Sequence, residues 1–263
     1  MTNVLHDETV GWLYVVLACV AALINVPVLL IHTSNAILRS KYPTIVGTLC
    51  VDFICIACLL TSGVLYLVGA ASCLAPLVSS VLPILQTIYI FFMTIDFMVA
   101  RFRPVFFHSP PPSYRIAFFC GVGILSICVL LISFGEDGIY PTQHHGKDCP
   151  THSGHLFIYS TCIIFNLASL ICQFLLFRSL SDLQFKLAIT IRFALVLSLI
   201  FVPFMALIIL DIIRDYSYMT YGVVISNALI SIQIAANALL QLRNKDVAER
   251  VKTVLNNVTP RSR

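Results

Sequence analysis

The chain has 263 residues, 59% of them hydrophobic and 11% charged, with a net charge of +4. Its mean hydropathy of +0.95 is far above that of soluble domains, in which about a quarter of residues are charged. These figures exclude a cytosolic enzyme, a nucleic-acid-binding protein and a disordered chain, and they make the lipid bilayer the first partner.

A helix needs about 20 apolar residues to cross a bilayer. In chain order the apolar runs are Gly11–Ile31, Thr44–Val68, Cys73–Val99, Ile116–Phe134, Leu156–Phe177, Leu187–Leu210 and Tyr221–Leu242. Each is too long for a strand and nearly free of charge, which predicts seven transmembrane helices. A buried soluble helix core would need amphipathic partners that this chain lacks. Turn residues mark the breaks: Arg39-Ser-Lys-Tyr-Pro43, Pro110-Pro-Pro112 and the polar stretch Gly135–His155. The predicted fold is an all-α membrane protein. A seven-helix domain occupies residues 1–242, and a cytoplasmic tail occupies 243–263. From Gln241 to Arg263 the chain begins with an amphipathic stretch (Leu242, Val247, Val251, Val254 and Leu255 among charges). That pattern fits a short helix lying along the inner membrane surface.

Lys and Arg set the orientation, because positive charge stays in cytoplasmic loops. Arg39 and Lys41 follow the first run; Arg101, Arg103 and Arg115 lie between the third and fourth. Arg178 and Lys186 flank the loop between the fifth and sixth, with Arg192 just inside the sixth. The tail adds Arg243, Lys245, Arg250, Lys252, Arg261 and Arg263. Only Lys147 and Arg214 fall on the other side, among Asp7, Glu8, Glu136, Asp137, Asp148, Asp211 and Asp215. The expected topology therefore has the amino terminus outside and the carboxyl terminus inside. The acidic flank of the first run argues for a retained anchor rather than a cleaved signal peptide.

Of 10 cysteines, only Cys73 and Cys149 fall on the expected outer side. That side is oxidising, so a disulfide is the natural pairing, with two free thiols as the alternative. Cys19, Cys50, Cys55, Cys58, Cys120, Cys128, Cys162 and Cys172 read as small apolar packing residues. The outer loop also carries His144, His145, His152 and His155. Such a set could hold zinc or copper, but its spacing matches no zinc pattern. A solvated loop is the preferred reading, and a pH-sensitive one is a further alternative. No metal or cofactor is assigned.

Ionisable side chains at membrane depth are costly and mark functional candidates. Asp52 lies inside the second run, and Asp96 lies near the cytoplasmic end of the third, where the interface would partly solvate it. Amides at depth are Asn25, Gln86, Asn166, Asn227, Gln233 and Asn237. One interhelical hydrogen bond from such an amide is worth about 0.6 kcal/mol. A mid-span carboxylate is harder to explain as packing, which makes Asp52 the leading single residue. No paired catalytic carboxylates, metal box or Ser/Lys arrangement points to an enzyme.

Asn25, Leu49-Cys-Val-Asp52, Asp96 followed by Ala100 and Pro104, Phe201-Val-Pro203 and Asn237-Ala-Leu-Leu-Gln241 occur in an order and spacing that resembles the rhodopsin-like G-protein-coupled receptors. Cys73 and Cys149 match that family's outer disulfide, with Cys73 one residue closer to Asp96 than is usual. The short amino terminus and the run Asn25-Val-Pro-Val-Leu-Leu-Ile-His32 through Leu38-Arg-Ser-Lys41 look more specifically like nematode serpentine chemoreceptors, class sx. The resemblance covers nearly the whole chain.

It implies a polar switch core of Asn25, Asp52, Gln86, Gln233 and Asn237. In the family this core is a hydrated carboxylate cluster, often with sodium. Here Gln86 and Gln233 stand where smaller polar residues are usual, and would bond Asp52 directly in place of an ion. It further implies a cytoplasmic coupling end at Asp96, Phe97, Arg101 and Arg103 that meets a heterotrimeric G protein. Phe97 stands where the family has Arg, and Ala238 and Gln241 replace the Pro and Tyr of the seventh span. The sixth span would pivot at Phe201 and Pro203. No Lys in the seventh span means no retinal, and Ser79 stands where amine receptors carry Asp. Pocket candidates are Ser79, Pro83, Tyr159, Phe204 and Asn227, suited to a small neutral molecule or a short peptide.

The function expected from the resemblance is a chemosensory receptor of the plasma membrane, as in a sensory-neuron cilium. One alternative is a receptor-like subunit without G-protein coupling. Another is a seven-span transporter, which would be expected to show repeated halves, broken helices or several ion ligands.

Overall fold

The structure is a computed structural model that describes residues 7–36, 38, 43–68, 74–103, 112–138, 152–181, 183–213, 216–242 and 247–249. Among these residues the chain is all helical. The elements are α1 (Asp7–Ser34), α2 (Pro43–Leu67), α3 (Leu74–Phe102), α4 (Pro112–Gly138) and α5 (His152–Ser179). They are followed by α6 (Leu183–Val196), a π turn (Leu197–Phe201), α7 (Val202–Ile212) and α8 (Tyr216–Leu242). The π turn joins α6 and α7 into one rod.

Among the described residues six stretches are long and apolar enough to cross a membrane: Glu8–Ser34, Thr44–Leu67, Val81–Phe102, Phe157–Ser179, Lys186–Leu210 and Tyr221–Leu242. The fourth expected span, Ile116–Phe134, falls within the 27-residue α4. Its apolar part among the described residues is the shorter Phe119–Val129. The coarser expectation, a multi-helix membrane protein, is therefore what the fold carries.

Packing follows chain order around a ring. α1 packs on α2, α2 on α3, α3 on α4, α4 on α5, α5 on the α6–α7 rod, the rod on α8, and α8 back on α1. α3 also touches α5 and α8, which puts it at the centre. Burial agrees: 61% of the α3 span is buried, against 22% of the rod.

Polarity runs opposite to that of a soluble bundle. Leu23, Ile124, Leu131, Ile164, Ile209 and Ile232 point outward, while Asn25, Asp52, Gln86, Asn166, Gln233 and Asn237 are buried. This is what hydrocarbon outside and polar partners inside require. Cys19, Cys50, Cys120 and Cys128, expected as packing residues, lie on the exposed surface, whereas Cys55 and Cys162 are buried in the core. A thiol is apolar enough to face lipid as well as protein.

The α1 and α2 backbones approach each other closely. A Cβ on Gly63 would come within 2.9 Å of the Gly11 carbonyl oxygen, and one on Gly11 within 3.0 Å of the Gly63 oxygen. Small residues facing each other let two backbones touch, the usual route to helix association where no hydrophobic effect operates.

Candidate functional site

The polar side chains fall into three tiers along the bundle. At one end a cleft is lined by Pro83 of α3, Ile158 and Tyr159 of α5, Phe204 and Leu207 of α7, and Val223, Ser226 and Asn227 of α8. Four of the five expected pocket residues line it; the side chain of the fifth, Ser79, lies outside the described residues. Ile158, Leu207, Val223 and Ser226 join them. Their signal was helical spacing, since Leu207 is one turn from Phe204, and Val223 one turn from Asn227.

The Tyr159 and Phe204 rings stack at 5.8 Å, 25° from parallel, and so bridge α5 and α7. Asn227 donates from Nδ2 to the Tyr14 hydroxyl at 3.0 Å, tying the cleft wall to α1. Ser226 is buried and its hydroxyl makes no hydrogen bond. The cavity itself is about 10 Å³, room for about one water. An organic ligand would have to widen the cleft, whose lining includes the stacked Tyr159 and Phe204.

The middle tier contains the expected switch core. Asn25 and Asp52 are fully buried, and Gln86, Gln233 and Asn237 nearly so. Gln86 is poised beside Asp52, and the Arg192 guanidinium acts on the carboxylate through space. Neither Asp52 oxygen has a partner at full hydrogen-bond geometry, so Gln86 approaches the carboxylate without completing the direct bond expected of it, and Gln233 makes none to it. The Gln86 carbonyl oxygen instead faces the Cys55 thiol of α2 at 4.0 Å. Both amide atoms of Asn25, Oε1 of Gln233 and Nδ2 of Asn237 are orphaned as well. Each orphan costs about 1–3 kcal/mol. Such a set of carboxylate and amide oxygens with amide donors fits ordered water or a small cation.

Beside this tier a polar seam joins α3 to α5. Asn166 Nδ2 donates to Thr87 Oγ1 at 3.2 Å, Thr94 and Ser169 hydroxyls meet at 2.9 Å, and Gln173 Nε2 reaches Ser169 Oγ at 3.3 Å. Asn166 therefore makes the interhelical bond that an amide at depth calls for.

The third tier is at the opposite end. Asp96 is only 3% exposed, where the sequence position had promised partial solvation. Two donors from other helices cover it: Thr44 Oγ1 of α2 at 2.5 Å and Tyr114 OH of α4 at 3.0 Å. Tyr89 OH donates to the Thr44 carbonyl at 2.8 Å, completing a knot of α2, α3 and α4.

Phe97 is half-buried and the Arg192 guanidinium lies over its ring at 4.8 Å. Arg101 is exposed and donates from Nη2 to the Ser179 carbonyl of α5, and Arg103 is exposed. The expected coupling residues thus share one end of the bundle but not one function. Asp96 clamps helices, Phe97 supports a cation, and the two arginines line the rim.

Phe201 closes the π turn, and Pro203 is the second residue of α7, after Val202. The Val202 N–H donates to the Leu197 carbonyl, five residues back. Pro203 has no N–H to give, so the ladder is already interrupted where the wide turn sits. The expected pivot therefore coincides with a built irregularity.

Cys73, Cys149, His144 and His145 lie outside the described residues, as do the side chains of His152 and His155. Among the described residues no group of three or more His, Cys, Asp or Glu could hold a metal. No protein-family model matches the chain, and no curated protein matches it.

Proposed function

We propose that the chain is a seven-helix receptor that converts binding of a small external molecule into movement of the α6–α7 rod. α4 is taken as the seventh span, since its 27 residues are long enough to cross. The Lys and Arg distribution puts the amino terminus and the Tyr159 cleft outside, and the Asp96 end inside.

One observation carries this reading: the cleft and the hinge share the rod. Phe204 lies one residue beyond Pro203, and the π turn ends at Phe201. Spreading Tyr159 from Phe204 therefore pushes on the rod just past its weakest turn. A ligand shifts a helix equilibrium only by its differential affinity for the two arrangements, and a cleft too small in one of them supplies that difference.

Among the described residues the cleft lining contains no charged residue, and its polar atoms come from Tyr159, Ser226 and Asn227. A neutral small molecule with a hydrogen-bonding group fits this lining better than an amine or a peptide. The residues resembling rhodopsin-like receptors, and nematode serpentine chemoreceptors among them, favour a chemosensory role at the plasma membrane. They also favour a G protein as the inner partner. A specific observation supports a second reading, a receptor-like subunit without coupling: Phe97 stands where the family has arginine.

The test is expression in a heterologous cell with a panel of neutral odorants, amines and short peptides. Ligand-dependent G-protein recruitment is measured for wild type and Phe97→Arg at matched surface level. A wild-type response to a neutral compound, lost in Tyr159→Ala, supports the receptor. A response gained only by Phe97→Arg supports the uncoupled subunit. A wild-type response that survives Tyr159→Ala and Phe204→Ala overturns the assignment of the cleft.

A further inference from the structure

We infer that Arg192 of α6 is the cation that holds the inner half of the bundle closed, through its contacts with Phe97 and Met93 of α3. Arg192 lies six residues beyond Lys186, where the sixth span begins, or about 9 Å along the helix. An arginine at that depth on a lone helix would extend back towards the headgroups. This one turns inward. Its guanidinium covers the Phe97 ring at 4.8 Å, and Nη1 reaches the Met93 sulfur at 3.3 Å. The buried Asp52 carboxylate acts on it through space.

The same sulfur accepts the Thr48 hydroxyl at 3.5 Å. One side chain thus ties α6 to α3, and through Met93 to α2. The other described Lys and Arg side chains at this end make their contacts at the rim: Arg101 bonds the Ser179 carbonyl of α5, and Arg178 lies over Phe174 of its own helix at 5.2 Å. Arg101, Arg103 and Arg178 are exposed, and Lys186 sits over Phe177 of α5 at 5.5 Å.

Position in the rod makes this contact a latch. Arg192 lies on the inner arm, and the π turn begins five residues later at Leu197. Rotation of that arm about the turn strips the guanidinium from Phe97 and Met93 and carries it away from Asp52. A half-buried cation over an aromatic face is favoured enough to bias such an equilibrium a few-fold by itself. The inward turn of Arg192 therefore sets the resting population of the closed arm. This holds whether or not the protein is a receptor, because it concerns two arrangements of one helix.

The test is hydrogen exchange by mass spectrometry on the full chain in lipid nanodiscs, without ligand or partner. Arg192→Gln is expected to speed exchange of residues 183–196 about tenfold, and Phe97→Leu several-fold. The double variant is expected to match Arg192→Gln alone, because the two act through one contact. Peptides from α1 and α2 should exchange as in wild type. Unchanged exchange of 183–196 in Phe97→Leu and in Arg192→Gln overturns the latch, as does strict additivity in the double variant. If Arg192→Gln speeds exchange everywhere, the chain has lost its fold and Phe97→Leu decides. Faster exchange confined to 183–196 then supports the latch, and no change refutes it.

Discussion

Removing the carboxylate of Asp96 isolates one joint of the bundle. Asp96 is buried and accepts hydrogen bonds from Thr44 of α2 and Tyr114 of α4. Bonds to a charged acceptor are worth about 1.5–3 kcal/mol each. Thr44 and Tyr114 are themselves only half-buried, so water partly replaces what they lose. Asp96→Ala should then cost about 2–4 kcal/mol. Asp96→Asn keeps one carbonyl acceptor but turns an N–H₂ towards the other donor, for a cost of about 1–2 kcal/mol. Thr44→Val and Tyr114→Phe should each cost about 1 kcal/mol in the native background, and close to nothing in the Asp96→Ala background. The assay is equilibrium unfolding in mixed detergent micelles with SDS as denaturant. Full additivity of Tyr114→Phe with Asp96→Ala, or an Asp96→Ala cost under about 0.5 kcal/mol, would refute the joint.

Further outcomes follow from other parts of the chain. Gly63→Ala drives a methyl group into the Gly11 carbonyl and the Val15 backbone; it should destabilise by about 1–3 kcal/mol in the same unfolding assay, while Gly123→Ala, which meets no neighbour, should not. Asp52→Asn should change ligand-dependent signalling more than surface level, measured by recruitment against surface immunostaining. Loss of surface level alone would make Asp52 structural. Cys73→Ser and Cys149→Ser should each impair surface delivery, with the double variant no worse than either; additive losses would argue against a bridge. The sequon Asn257-Val-Thr259 should carry no glycan in a mammalian cell, because the tail is expected inside. A glycosidase-sensitive shift there would invert the topology.

The apolar runs announced the helices because lipid leaves a chain no other way to satisfy its backbone. The grouping of Pro83, Tyr159, Phe204 and Asn227 in one cleft follows from similar depth: three lie on spans of one direction, and Phe204 lies on the span that returns between them. Three features were not legible. The π turn occupies Leu197-Ser-Leu-Ile-Phe201, which carries no local signal; only the following Pro203 hints at it. Asp96 finds its partners 52 and 18 residues away, separations set by tertiary packing. Arg192 read as one more inner positive charge, since composition alone does not say whether a long side chain reaches for headgroups or for a neighbouring ring.

The uneven burial of the helices has a mechanical meaning. α3, mostly enclosed, is the fixed axis against which the others register. The α6–α7 rod is the least enclosed of the six candidate spans among the described residues, with 22% buried, so in a bilayer acyl chains would border more of it than of the others. Annular lipid would then bear directly on the rod that the proposed mechanism moves. Bilayer thickness changes the tilt a helix adopts, so a thicker or thinner membrane acts on this rod as an effector with no binding site at all.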